Sequence, residues 1–374
     1  MKTFSELGIY DYFVKALNEN NIINPTEIQY KAIPFLLNEG KDFIGQAQTG
    51  TGKTAAYGLP ILQKIEAKKT QPQALILSPT RELGQQIAKH LFKFTKYVPE
   101  KIFVESLCGG AKIDAQIASL RRPTHVIVAT PGRLVDLLER KAISLASIKT
   151  IVLDEADEML TLGFKKDLDT ILSATRGQRY TWLFSATMPK ALKEIIAGYM
   201  SPNAMKVQIN KDDVINRNIE HKFTLCRREE KNEILIHFLR SQLDARGVIF
   251  CRTKAGAQAV AELLEKQEFN VAALQGDMIQ KERDKVMRAF KSKKLQLLVA
   301  TDLAARGIDV ADLAWVIHYD LPEKTEYFTH RSGRTARAGK KGFSLCLITT
   351  GDRDALRAIE RELQITFREY NPFN

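Results

Sequence analysis

The segment Ala47-Gln48-Thr49-Gly50-Thr51-Gly52-Lys53-Thr54 constrains this chain more than any other. A short apolar run, Asp42-Phe43-Ile44, leads into it, and a helix-like pattern from Ala55 to Ile65 leaves it. A strand, a glycine-rich turn and a helix in that order make a cradle for phosphate. The N–H groups of the turn point at the anion, and the positive end of the helix dipole adds to them. In such a cradle Gln48, Thr49, Gly50, Thr51 and Gly52 surround the phosphates. Lys53 reaches the β- and γ-phosphates, and the Thr54 hydroxyl holds Mg²⁺. The spacing departs from the strict Gly-x4-Gly-Lys-Ser/Thr pattern, because Ala47 takes the first position.

The rest of the chain alternates in the way such a cradle requires. Strand-like runs fall at Ala74–Ser78, Ile102–Leu107, His125–Thr130, Thr150–Leu153, Thr181–Ser185 and Met205–Ile209, with helical stretches between most of them. A polar stretch without periodicity follows, and a second alternation has runs at His221–Leu225, Gly247–Cys251, Val271–Leu274, Gln296–Ala300, Trp315–His318 and Ser344–Ile348. Near-continuous apolar strands alternating with helices predict an α/β fold, each sheet mainly parallel and covered by helices on both faces. A chain of 374 residues points to two domains or three. The boundaries expected are a first domain over 1–208, a short linker over 209–218 and a second domain over 219–374. Only the first half contains a phosphate loop.

Composition narrows the setting. No run approaches the roughly 18 apolar residues that span a bilayer, so no membrane partner is expected. The N-terminus lacks the apolar core of a signal peptide. The four cysteines are scattered without metal-ligand or disulfide spacing, which makes a reducing cytoplasm the simplest home. A net charge of +12 favours a polyanionic partner. Both halves are mildly basic, with no isolated basic tail.

Two further clusters carry chemistry. The apolar run Thr150-Ile151-Val152-Leu153 delivers Asp154-Glu155-Ala156-Asp157 at its carboxyl end. Open α/β sheets bind ligands at that edge, so Asp154 should face the phosphate loop. A carboxylate there can hold Mg²⁺, and Glu155 can orient and deprotonate an attacking water. Outside that context the same residues would be a dipole-stabilised helix N-terminus. In the second half, His330-Arg331-Ser332-Gly333-Arg334-Thr335-Ala336-Arg337 could be a solvated basic loop. Paired with a distant phosphate loop, Arg334 and Arg337 become candidate arginine fingers that stabilise the spreading charge of a transferring phosphoryl group.

These motifs together resemble the DEAD-box family of ATP-dependent RNA helicases, in superfamily 2. The resemblance covers essentially the whole chain, with the motifs in family order. It implies two tandem RecA-like domains and an ATPase that needs ATP and Mg²⁺. Asn21 to Gln29 resembles the family's adenine-reading motif, in which Gln29 donates and accepts at once. Phe4, seventeen residues ahead, stands where the family carries an isolated aromatic. Asn21 replaces the usual glycine, and Ile22 replaces the usual aromatic that stacks on the base. Gly84 stands where alanine is usual.

By the same resemblance, Pro79, Thr80, Arg81, Gly109, Gly110, Thr130, Pro131, Gly132 and Arg133 contact RNA in the first domain. Arg252, Thr253, Gln275, Arg283 and Thr301 do so in the second. Asp309 would meet the ribose hydroxyls of ATP. Asp157, Ser185, Thr187 and His330 would couple hydrolysis to unwinding. The function implied is RNA-stimulated ATP hydrolysis, by a monomer, coupled to unwinding of short RNA duplexes or remodelling of RNA–protein complexes. Backbone contacts predict little RNA sequence specificity. A superfamily 2 DNA helicase and an ATP-dependent RNA clamp with little unwinding are the alternatives.

Overall fold

The computed structural model of the chain describes residues 2–48, 50–175, 179–209, 218–305, 313–336, 341–371 and 373. It divides into two units, Met1–Asn210 and Lys211–Asn374. The linker expected at 209–218 falls, apart from its first and last residues, outside the described residues.

In the first unit, α1 (Asp11–Glu19) and α2 (Glu27–Asn38) precede β1 (Phe43–Gln46). There follow α3 (Lys53–Lys64), β2 (Ala74–Leu77), α4 (Arg81–Phe94), β3 (Val104–Leu107), α5 (Ile113–Ser119), β4 (Val126–Ala129) and α6 (Pro131–Glu139). The unit ends with β5 (Thr150–Asp154), α7 (Ala156–Thr161), α8 (Lys165–Ala174), β6 (Tyr180–Ser185), α9 (Lys190–Tyr199) and β7 (Met205–Gln208). The second unit opens with β8 (Ile219–Leu225), α10 (Lys231–Ser241), β9 (Gly247–Phe250), α11 (Lys254–Lys266), β10 (Val271–Leu274) and α12 (Gln280–Lys291). Then come β11 (Leu297–Ala300), α13 (Asp302–Ala305), β12 (Trp315–His318), α14 (Thr325–Ser332), β13 (Gly342–Ile348), α15 (Arg353–Leu363) and β14 (Arg368–Glu369).

Each unit holds one seven-stranded sheet. The first runs β3-β4-β2-β5-β6-β1-β7 and the second β10-β11-β9-β12-β13-β8-β14. Every neighbouring pair is parallel, for example Leu77 opposite Ala129 and Leu153 opposite Leu183. Renumbered from its own first strand, the second order repeats the first, so the two sheets share one topology.

The strand sequences explain why both faces are covered. Successive side chains of a strand point to opposite faces. In the first sheet Ile76, Val128, Val152 and Phe184 enter one core, whereas Leu75, Leu77, Ile127, Leu153 and Leu183 enter another. The second sheet does the same with Val299 and Ile317 on one side and Leu298 and Val316 on the other. A strand buried on both faces reads as an uninterrupted apolar run, which is the pattern the sequence carries. β14 has no such signal, because both of its residues are exposed at the sheet edge.

Packing across the second sheet fixes one position tightly. A Cβ at Gly247 would lie 2.1 Å from the Trp315 ring, which is itself almost fully buried. Overpacking of this kind costs about 1–3 kcal/mol and sometimes more. Gly247→Ala should therefore destabilise the second unit by about 3 kcal/mol, read as a lower denaturant midpoint for the second unit.

Candidate active site

The phosphate loop closes as the sequence predicts. Gly50 and Gly52 take φ values of +84° and +89°, which only glycine adopts at little cost. Gly52 caps α3, whose first residues are Lys53 and Thr54. The loop is held from outside by α2. Thr26 Oγ1 donates to Thr51 O at 2.7 Å, and Gln29 Nε2 donates to Gly52 O at 2.9 Å. Gln29 Oε1 accepts from Thr26 N at 2.9 Å, closing the capping box of α2. Gln29 is 2% exposed, so in this structure its amide braces the loop.

Facing the loop, Asp154 ends β5. Its Oδ2 accepts from the Tyr57 hydroxyl at 2.8 Å, and its Oδ1 lies 4.0 Å from Lys53 Nζ. Oδ1 is buried and has no hydrogen-bond partner in the protein. Lys53 Nζ donates instead to Ala47 O at 3.2 Å. Burial pushes the Asp154 carboxyl up to about 6, with Lys53 pulling the other way and Glu155 adding to the rise. A buried carboxylate oxygen without a partner, beside a lysine and a helix N-terminus, fits a hard cation and the phosphates it accompanies. Thr54 and Asp154 are the residues that would hold that cation. Glu155 follows at φ 52°, ψ 52°, a left-handed conformation that costs a non-glycine residue about 1–2 kcal/mol. Such strain persists where surrounding structure imposes it, often at functional sites.

The neighbouring strand end carries the residues expected to couple the two ligands. Asp157 Oδ2 accepts from both the N–H and the hydroxyl of Thr187, each at 2.8 Å. Asp157 N donates to Ser185 Oγ at 3.2 Å, and Ser185 Oγ donates to Thr187 O at 2.8 Å. These three form one network at the ends of β5 and β6.

The residues expected to meet RNA lie at the ends of β2, β3 and β4. Thr80 and Arg81 follow β2, Gly109 and Gly110 follow β3, and Thr130 to Arg133 follow β4. Those strands are contiguous, so the RNA candidates occupy one side of the sheet edge and the phosphate loop the other, with Asp154 and Ser185 between. Thr80 caps α4 by accepting from Leu83 N at 3.2 Å. Arg81 lies against Gly110, where a Cβ would meet its Nη1 at 2.1 Å. Arg133 donates to Ala111 O at 3.0 Å and to Gln116 Oε1 at 2.6 Å. A Cβ at Gly109 would meet nothing within 4 Å, and the nearest atom at Gly132 is 3.7 Å away, so both backbones are open to approach. Pro79, Thr130 and Pro131 are buried, which leaves their backbone to do any contacting.

In the second unit the same three topological positions carry the second set. Arg252 and Thr253 follow β9, Gln275 follows β10 and Thr301 follows β11. Thr253 caps α11 by accepting from Gly256 N at 3.0 Å, as Thr80 does for α4. Arg252 N donates to Asp320 Oδ2, and Arg283 donates to Ala304 O at 2.6 Å, tying α12 to α13. Thr301 is 6% exposed. No glycine-rich turn follows β8, where Cys226-Arg227-Arg228 stand instead.

His330 and Arg334 lie on and just beyond α14, with Arg334 Nε donating to His330 O at 3.3 Å. Their helix is anchored by Arg331, which is 2% exposed and forms paired bonds to Asp302 at 2.6 and 2.7 Å. Behind it, His318 Nε2 sits 3.1 Å from Ser344 Oγ, and burial holds its ring well below the usual histidine range.

Several sequence expectations acquire a physical reason or a limit. Asn21 sits at φ 57°, so its replacement of glycine uses one of the few side chains tolerated there. At Gly84 a Cβ would lie 2.5 Å from Cys108 Sγ, so the missing methyl makes room for the thiol. Ile22 is half-buried against the first core. Phe4 is 1% exposed and belongs to that core. Thr49, Asp309 and Arg337 lie outside the described residues. Gln116 and Tyr57 escaped the sequence reading, because neither stands in a recognisable motif.

Comparison with known proteins places these features. Residues 26–195 match the family profile described as DEAD/DEAH box helicase, and residues 230–339 match the helicase conserved C-terminal domain. The chain is 42% identical to the ATP-dependent RNA helicase DeaD of Buchnera aphidicola over 99% of its own length and 61% of that protein. It is 40% identical to the ATP-dependent RNA helicase CshA of Limosilactobacillus reuteri over 99% of its length and 73% of that protein. Among solved structures, S. cerevisiae Dbp5 bound to RNA and ADP BeF3 superposes with a TM-score of 0.90 at 29% identity, covering 100% of this chain and 96% of that one.

The geometry yields a sign for the effect of pH. A cation at Asp154 needs the deprotonated carboxylate, and that carboxyl titrates at about 6. Mg²⁺ affinity should therefore weaken as pH falls through about 6, measured by Mg²⁺ titration at pH 7.5 and pH 5.5.

Proposed function

The chain belongs to the DEAD-box family of ATP-dependent RNA helicases, and from that premise we propose that it hydrolyses ATP in response to RNA. The cycle drives local separation of short RNA duplexes or remodelling of RNA–protein complexes. The observation that carries the reading is Asp154 Oδ1, buried without a hydrogen-bond partner 4.0 Å from Lys53 at the mouth of the phosphate loop.

In this reading the amides at the start of α3 bind the phosphates, and Lys53 neutralises the β- and γ-phosphate charge. Mg²⁺, held by Thr54 and Asp154, would offset charge on the phosphates and orient them. Glu155 orients the attacking water and accepts its proton. Arg334 is the candidate arginine finger, since a planar guanidinium is suited to charge on γ-phosphoryl oxygens. Arg337 and Asp309 are assigned by family resemblance to the same nucleotide.

RNA is proposed to lie across the ends of β2, β3 and β4 and across those of β9, β10 and β11. The groups offered there are arginines, capping threonines and open glycine backbone, which suit sugar-phosphate contacts and little base reading. A partner with 2′-hydroxyls would be distinguished by contacts that DNA cannot make. The Asp157–Ser185–Thr187 network lies between the two ligand positions and is the proposed coupling element, and family resemblance assigns His330 to the same role.

Steady-state ATPase rates without nucleic acid, with single-stranded RNA and with matched DNA test this reading. Stimulation by RNA well above that by DNA is expected. Equal stimulation by DNA would move the assignment to a DNA helicase, and ATPase without strand displacement on a short duplex would favour a clamp. Glu155→Gln should lower the RNA-stimulated rate by at least about 10²-fold while nucleotide still binds. Arg334→Ala should lower kcat by about 10³-fold.

A further inference from the structure

Tyr57 lies one helical turn beyond Lys53 and Thr54 on α3, so the three side chains share one side of that helix. Its ring is fully buried in the first core, with its centroid 5.2 Å from that of Phe184. A phenyl ring would fill that space equally well. The hydroxyl therefore has a purpose other than packing, since burying one costs free energy unless it is hydrogen-bonded. It donates to Asp154 Oδ2 at 2.8 Å, and the Thr54 side chain lies near the same hydroxyl. One buried hydroxyl thus lies beside both residues proposed to hold Mg²⁺ and is bonded to Asp154.

The consequence for Asp154 is directional. With Oδ2 engaged by Tyr57, the carboxylate cannot rotate freely, and Oδ1 is the oxygen left facing Lys53 without a hydrogen-bond partner. Groups behind a metal ligand commonly set its orientation and affinity, and their loss costs about 10–100-fold in metal binding. We propose that Tyr57 is a positioning residue for the metal site: its hydroxyl fixes which oxygen of Asp154 meets the cation. This inference rests on the reading of the loop as a Mg²⁺-nucleotide site.

The test uses the full chain as wild type, Tyr57→Phe and Asp154→Asn. Binding of a fluorescent ADP is followed in EDTA and across a MgCl₂ series. The phenylalanine keeps the buried ring, and a thermal melt checks that the fold is retained. Tyr57→Phe should need about ten-fold more Mg²⁺ to reach half of the Mg²⁺-dependent gain in affinity. Its affinity in EDTA should equal that of the wild type, which separates metal positioning from a general loosening of the site. An unchanged Mg²⁺ midpoint in Tyr57→Phe, beside a wild type that depends on Mg²⁺ and an Asp154→Asn that does not, would overturn the role of Tyr57 alone. Equal losses with and without Mg²⁺ would also overturn it, by assigning the hydroxyl to structure. A wild type indifferent to Mg²⁺, or an Asp154→Asn that titrates as the wild type does, would overturn the metal-site reading and this inference with it.

Discussion

A buried carboxylate left half-satisfied governs the first unit. Asp154 is delivered by β5, a strand buried along its whole length. Its burial raises the energy of its charged form, and Lys53 at 4.0 Å offsets only part of that cost. A group in this state gains more from an arriving cation than an exposed carboxylate would, because its desolvation is already complete. The strained backbone of Glu155 next to it points the same way. Sites of this kind trade stability for function, and here the trade falls on consecutive residues of one strand end.

The edge of the sheet sorts the ligands. Strand order places the phosphate loop on one flank and the three strand ends proposed for RNA on the other, with the Asp157–Ser185–Thr187 bonds between them. The second unit repeats the strand order and keeps arginine or capping threonine at equivalent positions. At β8, however, it lacks a glycine-rich turn. One topology thus carries the proposed RNA contacts in both units and the glycine-rich turn before a helix in only one. That asymmetry follows from residues 47–54, since the two sheets do not otherwise differ in order.

Much of this was legible in the sequence, and the remainder was hidden for identifiable reasons. Strands buried on both faces announce themselves as apolar runs, and a glycine-rich turn before a helix announces a phosphate site. β14 was invisible because two exposed edge residues carry no pattern. The meaning of Gly84 depended on Cys108, a residue distant in sequence whose thiol fills the space a methyl would need. Asn21 needed a backbone angle before its replacement of glycine made sense. Phe4, matched by position alone, is buried in the first core, a depth that spacing along the chain does not report. Tyr57 and Gln116 act through contacts across 97 and 17 positions of sequence. A local motif reading has no access to either.

Nucleotide and RNA are proposed to bind the same sheet edge and to favour one another through it. Such coupling is reciprocal and commonly amounts to about 5–150-fold in affinity. The direct measurement is the affinity of the full chain for a short single-stranded RNA, with and without a non-hydrolysable ATP analogue and Mg²⁺. At least about ten-fold tighter RNA binding in the presence of the analogue is predicted, with the analogue binding correspondingly tighter when RNA is present. Equal RNA affinities in the two conditions would contradict the claim.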